Sequence, residues 1–154
     1  MLQFTIEAAG LQDAPSLVPL FDAYRSFFAG SGDGDRSQRF LEERLQRGDS
    51  VIFLGRIGAS VEGFVQLYPL WSSWHCRRIW FLSDLYVRES SRLHGLGTLL
   101  VRRVVAYAEE TDASSIMVEL PLREPHLERF YAKLGFHKDE VFDLARNTLP
   151  TSTV

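Results

Sequence analysis

The stretch with the clearest capacity for chemistry is Arg92-Leu93-His94-Gly95-Leu96-Gly97-Thr98. It follows an apolar run ending at Val87. It precedes a segment with Leu96, Leu99, Leu100, Arg103, Val104 and Tyr107 at helical spacing. Glycines at a strand-to-helix turn let the backbone come close to a ligand. The first N–H groups of the helix lack intrahelical partners, and the helix dipole adds partial positive charge. Such a turn suits phosphate or pyrophosphate. A P-loop is rejected, because Gly97-Thr98-Leu99 stands where that motif needs Gly-Lys-Ser/Thr. A dinucleotide fingerprint is disfavoured: Leu100 holds the third position of G-x-G-x-x-G, and only one βαβ unit follows, although Glu119 could pass for the ribose-binding acid.

Other reactive residue types offer less. Cys76 is the only cysteine, which excludes an internal disulfide and any multi-cysteine zinc site. His75 is its neighbour, and adjacent side chains on a strand point to opposite faces, so the two are not expected to pair. The four histidines show no metal-ligand spacing, and no metal is expected. Trp71, Trp74 and Trp80 are expected in the core or on a substrate-side wall, and only Trp71 and Trp74, flanked by serines, read as exposed enough for binding. The acidic loop at Asp33 and Asp35 could attract a cationic acceptor, but reads better as a solvated cap. Lys and Arg number 17 against 20 Asp and Glu, so neither nucleic acid nor an acidic membrane is an expected partner. No charged-then-apolar leader and no membrane-length apolar run stand out, and the expected location is cytoplasmic. With 154 residues, 45% hydrophobic and 24% charged, one globular domain over 1–154 is expected.

The elements that must position the glycine turn are legible from periodicity. Leu2, Phe4 and Ile6 alternate as in a strand. Asp13 and Pro15 open a helix carrying Leu17, Leu20, Phe21, Tyr24, Phe27 and Phe28, which the glycines from Gly30 stop. Asp35 and Gln38 resemble a capping box for a second helix, closed by Gly48. Val51–Ile57 and Val61–Tyr68 read as a hairpin around Gly58-Ala59-Ser60, with Pro69 to Trp74 as a connection. Arg78 to Val87 is a third run, and Gly95 to Glu110 a helix. Ser115 to Leu120 is a short strand. Pro125 and Gly135 bracket a last helix. Phe136 to Thr148 is expected to give one or two final strands. The order βααβββαβαβ implies an α/β (α+β) fold with a parallel pair in a mixed sheet.

This arrangement resembles the GCN5-related N-acetyltransferase (GNAT) superfamily. The resemblance rests on Phe81-Leu82-Ser83-Asp84-Leu85-Tyr86-Val87, the Arg92 to Thr98 turn with its helix, and Phe130-Tyr131-Ala132-Lys133-Leu134-Gly135-Phe136. It covers nearly the whole chain. Gly63-Phe64-Val65-Gln66-Leu67-Tyr68-Pro69, with the serines after it, is similar to a bacterial histone- or polyamine-type subgroup.

The resemblance implies acetyl-CoA as cofactor. Leu85, Tyr86 and Val87 would pair their backbone with the pantetheine arm. Arg92, Leu93, His94, Gly95, Leu96, Gly97 and Thr98 would wrap the pyrophosphate. Tyr131 would sit at the cofactor and protonate the departing thiolate. Asp84 or Glu119 would help deprotonate the acceptor amine, and a backbone N–H near Leu85–Val87 would polarise the carbonyl. Two departures stand out. Polyamine-type relatives often carry Glu-Asp where this chain has Ser83-Asp84, and many relatives have Asn where it has Glu124. The implied reaction is direct acetyl transfer to a primary amine, on a small molecule or a protein. These departures keep a non-catalytic acyl-CoA sensor or interaction module on the same fold as the rival expectation. A homodimer is left open, as free sheet edges could pair but no stretch specifies one.

Overall fold

The computed structural model describes residues 2–151. The chain divides into two compact units, Met1–Leu120 and Pro121–Val154.

The first unit is built on a five-stranded sheet in the order β1 (Thr5–Ala8), β2 (Val51–Ile57), β3 (Ser60–Ser72), β4 (Arg77–Val87), β5 (Ser115–Val118). Neighbours are antiparallel except β4 and β5, which are parallel and joined through α3 (Leu96–Glu110). Helices α1 (Ala14–Ala29) and α2 (Gly34–Arg47) lie between β1 and β2 in the chain.

Strand alternation assigns the two faces. Ile52, Leu54 and Phe64 are buried with Leu17, Leu20 and Phe21 of α1 and Leu41 of α2. On the opposite face, Phe53 and Trp80 pack their rings on Tyr107 of α3 at 5.4 and 5.2 Å. Trp80 also donates from Nε1 to Thr111 Oγ1 at 2.8 Å. Gly55 and Gly63 are partners across β2 and β3. A Cβ at Gly55 would fall 2.3 Å from Leu96, and one at Gly63 would fall 2.9 Å from the Tyr86 carbonyl and 3.1 Å from Leu96. The paired glycines form the notch that seats the first residue of α3 on the sheet.

Several expectations are corrected in detail. The cap of α2 is Asp33, whose carboxylate accepts from Arg36 N–H at 3.1 Å, in place of the Asp35–Gln38 box. The segment expected as a connection after Tyr68 is strand as far as Ser72. Pro69 is tolerated there because β2 pairs with β3 only up to Leu67, so a missing N–H costs no ladder bond on that edge. Cys76 lies in the turn between β3 and β4, at φ 49°, and not in a strand.

The second unit carries α4 (Pro125–Ala132), with Pro125 at its first turn. No strand follows it among the described residues, which overturns the expected strand or strands from Phe136 to Thr148. The local cause is visible. Asp139 Oδ1 accepts from the N–H groups of Val141 and Phe142, and Asp143 Oδ1 from that of Leu144. Such side-chain-to-backbone bonds compete with a sheet ladder for the same donors. Val141, Phe142 and Leu144 stay exposed. No helix among the described residues is long and apolar enough to cross a membrane.

Candidate active site

A bulge in β4 organises the first part of the site. Gln66 faces Asp84 across the strands, but its neighbour Leu67 faces Leu82, so Ser83 is an extra residue. In a regular strand Leu82 and Asp84 would share a face. The bulge leaves Leu82 buried on the α3 side and turns Asp84 toward α1 and α2. Ser83 and Asp84 consequently line one cleft together, with Phe21, Tyr24, Phe40 and Tyr68 among its other walls. Its volume is about 280 Å³.

The bulge also marks where β4 parts from β5. Their pairing covers Ile79–Leu82 and Ser115–Val118 and stops there, while β4 continues to Val87 against β3. From Ser83 onward, the far edge of β4 holds backbone groups outside the ladder. Leu85, Tyr86 and Val87 are on this edge, which fits the expectation of an added strand-like ligand.

Burial sets the electrostatics of Asp84. It pushes the carboxyl above its ordinary 3.8, and the charge of Glu119 pushes the same way. Hydrogen bonds with Tyr24, Ser83 and Gln66 oppose the shift without cancelling it. The Gln66 bond, from Nε2 to Asp84 Oδ2, spans 3.3 Å, and the same Nε2 contacts the Tyr68 hydroxyl. Burial and the charge of Asp84 push the Tyr68 phenol up to about 12. The two candidate acids are thus brought within each other's field, but they differ. Asp84 is enclosed, whereas Glu119 stands exposed just past β5.

The second part of the site is the turn from β4 into α3. Leu93 at φ 64° and Gly95 at φ 87° both adopt the left-handed region, which a leucine rarely does. Leu93 is fully exposed, so no burial of its side chain compensates. Gly95 is the N-cap of α3 and offers no side chain to its free amides. The N–H groups of Leu96, Gly97 and Thr98 are left without helical partners, the first intrahelical donor being Leu99 to the Gly95 carbonyl at 3.1 Å. These features fit a pyrophosphate.

Two anchors hold the turn. Arg92 donates from Nε to the Val87 carbonyl at 2.9 Å and stacks its guanidinium over Tyr86. Glu62, buried on β3, accepts from Ser91 Oγ at 2.6 Å and from Ser60 Oγ at 2.5 Å, with Arg88 Nε 3.4 Å away. Those hydroxyls, Ser60 first, hold the Glu62 carboxyl below its usual range. Sequence reasoning missed Glu62. The only trace in the sequence was an acid near the start of a largely apolar strand. His94 is exposed at the turn.

Tyr131 is on α4 of the second unit, buried, with its ring against Phe130 and Phe136 at 5.1 and 5.3 Å. Burial raises its phenol pKa. Glu124 stands at the N-cap position of α4 without a side-chain capping bond, its carboxylate 3.3 Å from His126 Nδ1. Trp71 and Trp74 are exposed at the β3–β4 end of the sheet and do not line the cleft.

Comparison with known proteins gives the family. Residues 17–136 match the family described as acetyltransferase (GNAT) family. An uncharacterized N-acetyltransferase of Bacillus subtilis, YhfO, is 31% identical over 137 residues, covering 89% of this chain and 92% of that protein. The D-amino-acid N-acetyltransferase HPA3 of Saccharomyces cerevisiae is 24% identical over 67% of this chain and 63% of its own length. The crystal structure of a probable acetyltransferase superposes with a TM-score of 0.86 at 35% identity, covering 96% of this chain and 99% of that one.

Proposed function

The chain belongs to the GNAT acetyltransferase family, and on that premise we propose that it moves an acetyl group from acetyl-CoA to a primary amine, with residues 1–154 acting as one domain. The observation that carries this reading is the position of Asp84. It is enclosed in a cleft and stands immediately before the open backbone edge of Leu85–Val87.

When bound, acetyl-CoA supplies an activated thioester, at whose carbonyl the acceptor nitrogen forms the new N–C bond as the C–S bond breaks. The open β4 edge would hold the pantetheine arm, and the N–H groups of Leu96, Gly97 and Thr98 the pyrophosphate. A backbone N–H in Leu85–Val87 would polarise the carbonyl oxygen. The amine needs help, because a lysine-like ammonium with pKa near 10.4 is neutral in only about one molecule in a few thousand at pH 7. Asp84 takes that proton, directly or through water. A carboxyl raised by burial is a better base than an exposed one, which favours Asp84 over Glu119. Tyr131 would serve the leaving thiolate. Its raised pKa keeps the phenol protonated, while a free thiol has a pKa near 8.5, so its help is mainly a donated hydrogen bond.

The test is thiol release from acetyl-CoA, with and without a primary amine, followed against pH. Amine-dependent release is expected, with an acid limb in kcat above the ordinary carboxylate range that disappears in Asp84→Asn. Absence of amine-dependent release from folded protein, across polyamines, amino acids, aminoglycosides and peptide N-termini, would overturn the reading.

A further inference from the structure

The cleft over Asp84 carries more charge than proton abstraction requires. Its ionisable lining includes one carboxylate, Asp84, and two guanidiniums, Arg25 of α1 and Arg36 of α2. Arg25 is engaged within the fold. Its Nη1 donates to Ser37 Oγ at 2.8 Å and to the Asp33 carbonyl at 3.3 Å, and lies 3.7 Å from the Asp22 carboxylate. Asp22 in turn accepts from Ser37 Oγ at 2.7 Å and from Asp33 N–H at 2.8 Å.

Arg36 differs. Its backbone N–H is tied to the Asp33 cap, which fixes where the side chain leaves the helix. Its guanidinium has no ion-pair partner among the described residues. A guanidinium fork matches a carboxylate bidentately, which a point-charge cation does not.

We infer that the acceptor is a small amine bearing its own carboxylate, an amino acid with an apolar side chain, held with its amine at Asp84 and its carboxylate at Arg36. The inference rests on the reading of this cleft as the acceptor site. Phe21 and Phe40, stacked at 5.7 Å, and Tyr24 supply an apolar wall for the side chain. The volume of about 280 Å³ falls at the small end of ligand pockets, which run from about 300 Å³ upward. A polyamine is disfavoured by the same lining. Its further ammonium groups meet the Arg36 guanidinium, unpaired among the described residues, with Asp84 the one carboxylate in that lining, a like-charge juxtaposition that selects against it.

The experiment compares phenylalanine and leucine, in both enantiomers, with their decarboxylated amines and with spermidine, using the full chain and acetyl-CoA. The free amino acid is expected to exceed its decarboxylated amine by about tenfold or more in kcat/KM, the size of one charge-assisted contact. Arg36→Ala should collapse that ratio toward one, mainly through the KM of the amino acid, and Arg36→Lys should restore only part of it. Preference for spermidine or the decarboxylated amines, or a ratio untouched by Arg36→Ala, overturns the inference. If no amine is turned over, the catalytic reading fails separately. Calorimetric titration of phenylalanine into the CoA-loaded protein then decides. Binding that Arg36→Ala removes upholds the carboxylate site, and its absence in the parent chain refutes it.

Discussion

The turn into α3 offers its proposed ligand main-chain N–H groups, whereas the cleft over Asp84 is walled by side chains from four separate elements. In the turn, residue identity matters where φ is positive or where a Cβ would collide: Gly95, and the Gly55–Gly63 notch under Leu96. In the cleft, under the proposed reading, identity would matter throughout, because Asp84, Arg36 and the aromatic walls would each act through their side chains. The difference divides the work. A donor shared by a whole family can be held by backbone, which varies little, while an acceptor particular to one enzyme is chosen by side chains, which vary freely.

Substitutions can break this division at either end. The largest effect is expected from Asp84→Asn. Loss of a positioned base lowers turnover by about 10²–10⁴-fold, with acetyl-CoA affinity kept; steady-state kinetics beside a binding titration checks this. The same variant sharpens the electrostatic side. The pKa of Asp84 is raised by folding, so the native state holds its proton more tightly than the unfolded chain does. Native stability therefore falls as pH rises from about 3.8 through the folded pKa. Asp84→Asn should be at least as stable as the parent at neutral pH, with the gap closing below pH 3.8, as read by denaturant melts at several pH values.

Gly95→Val comes next. A β-branched residue at φ 87° is strained by roughly 1–3 kcal/mol, and its bulk would crowd the free amides. Acetyl-CoA should bind about tenfold more weakly or worse, while thermal melting confirms a folded chain. Tyr131→Phe should lower kcat by less than about tenfold without changing acetyl-CoA affinity, in keeping with a hydrogen bond. The smallest effect is expected from Asp33→Ala, which removes the α2 cap at a cost of about 1 kcal/mol. It should also loosen Arg36, seen as a raised KM for the acceptor.

The same contrast explains what was legible in the sequence. The glycine turn could be read because backbone requirements leave glycines at fixed spacing, and α1, α3, β2 and β4 announced themselves by periodicity. The cleft could not be read in the same way. Alternation alone would place Asp84 on the face of Leu82, inside the α3-side core, and the extra residue Ser83 leaves no mark in composition. Arg36 and Arg25 are far from Asp84 in the chain and meet it only through the α1–α2 packing. Glu62 was missed because its serine partners, Ser60 and Ser91, come together only in the fold. The stretch after α4 was misread for a local reason: Asp139 and Asp143 take the amides a ladder would use.

The separation of donor and acceptor functions is tested most directly by calorimetric titration of acetyl-CoA into the parent chain, Gly95→Val and Asp84→Asn side by side. The account predicts alike, micromolar binding for the parent and Asp84→Asn, and binding at least about tenfold weaker for Gly95→Val. No binding by the folded parent, or an affinity lost in Asp84→Asn and kept in Gly95→Val, would contradict it.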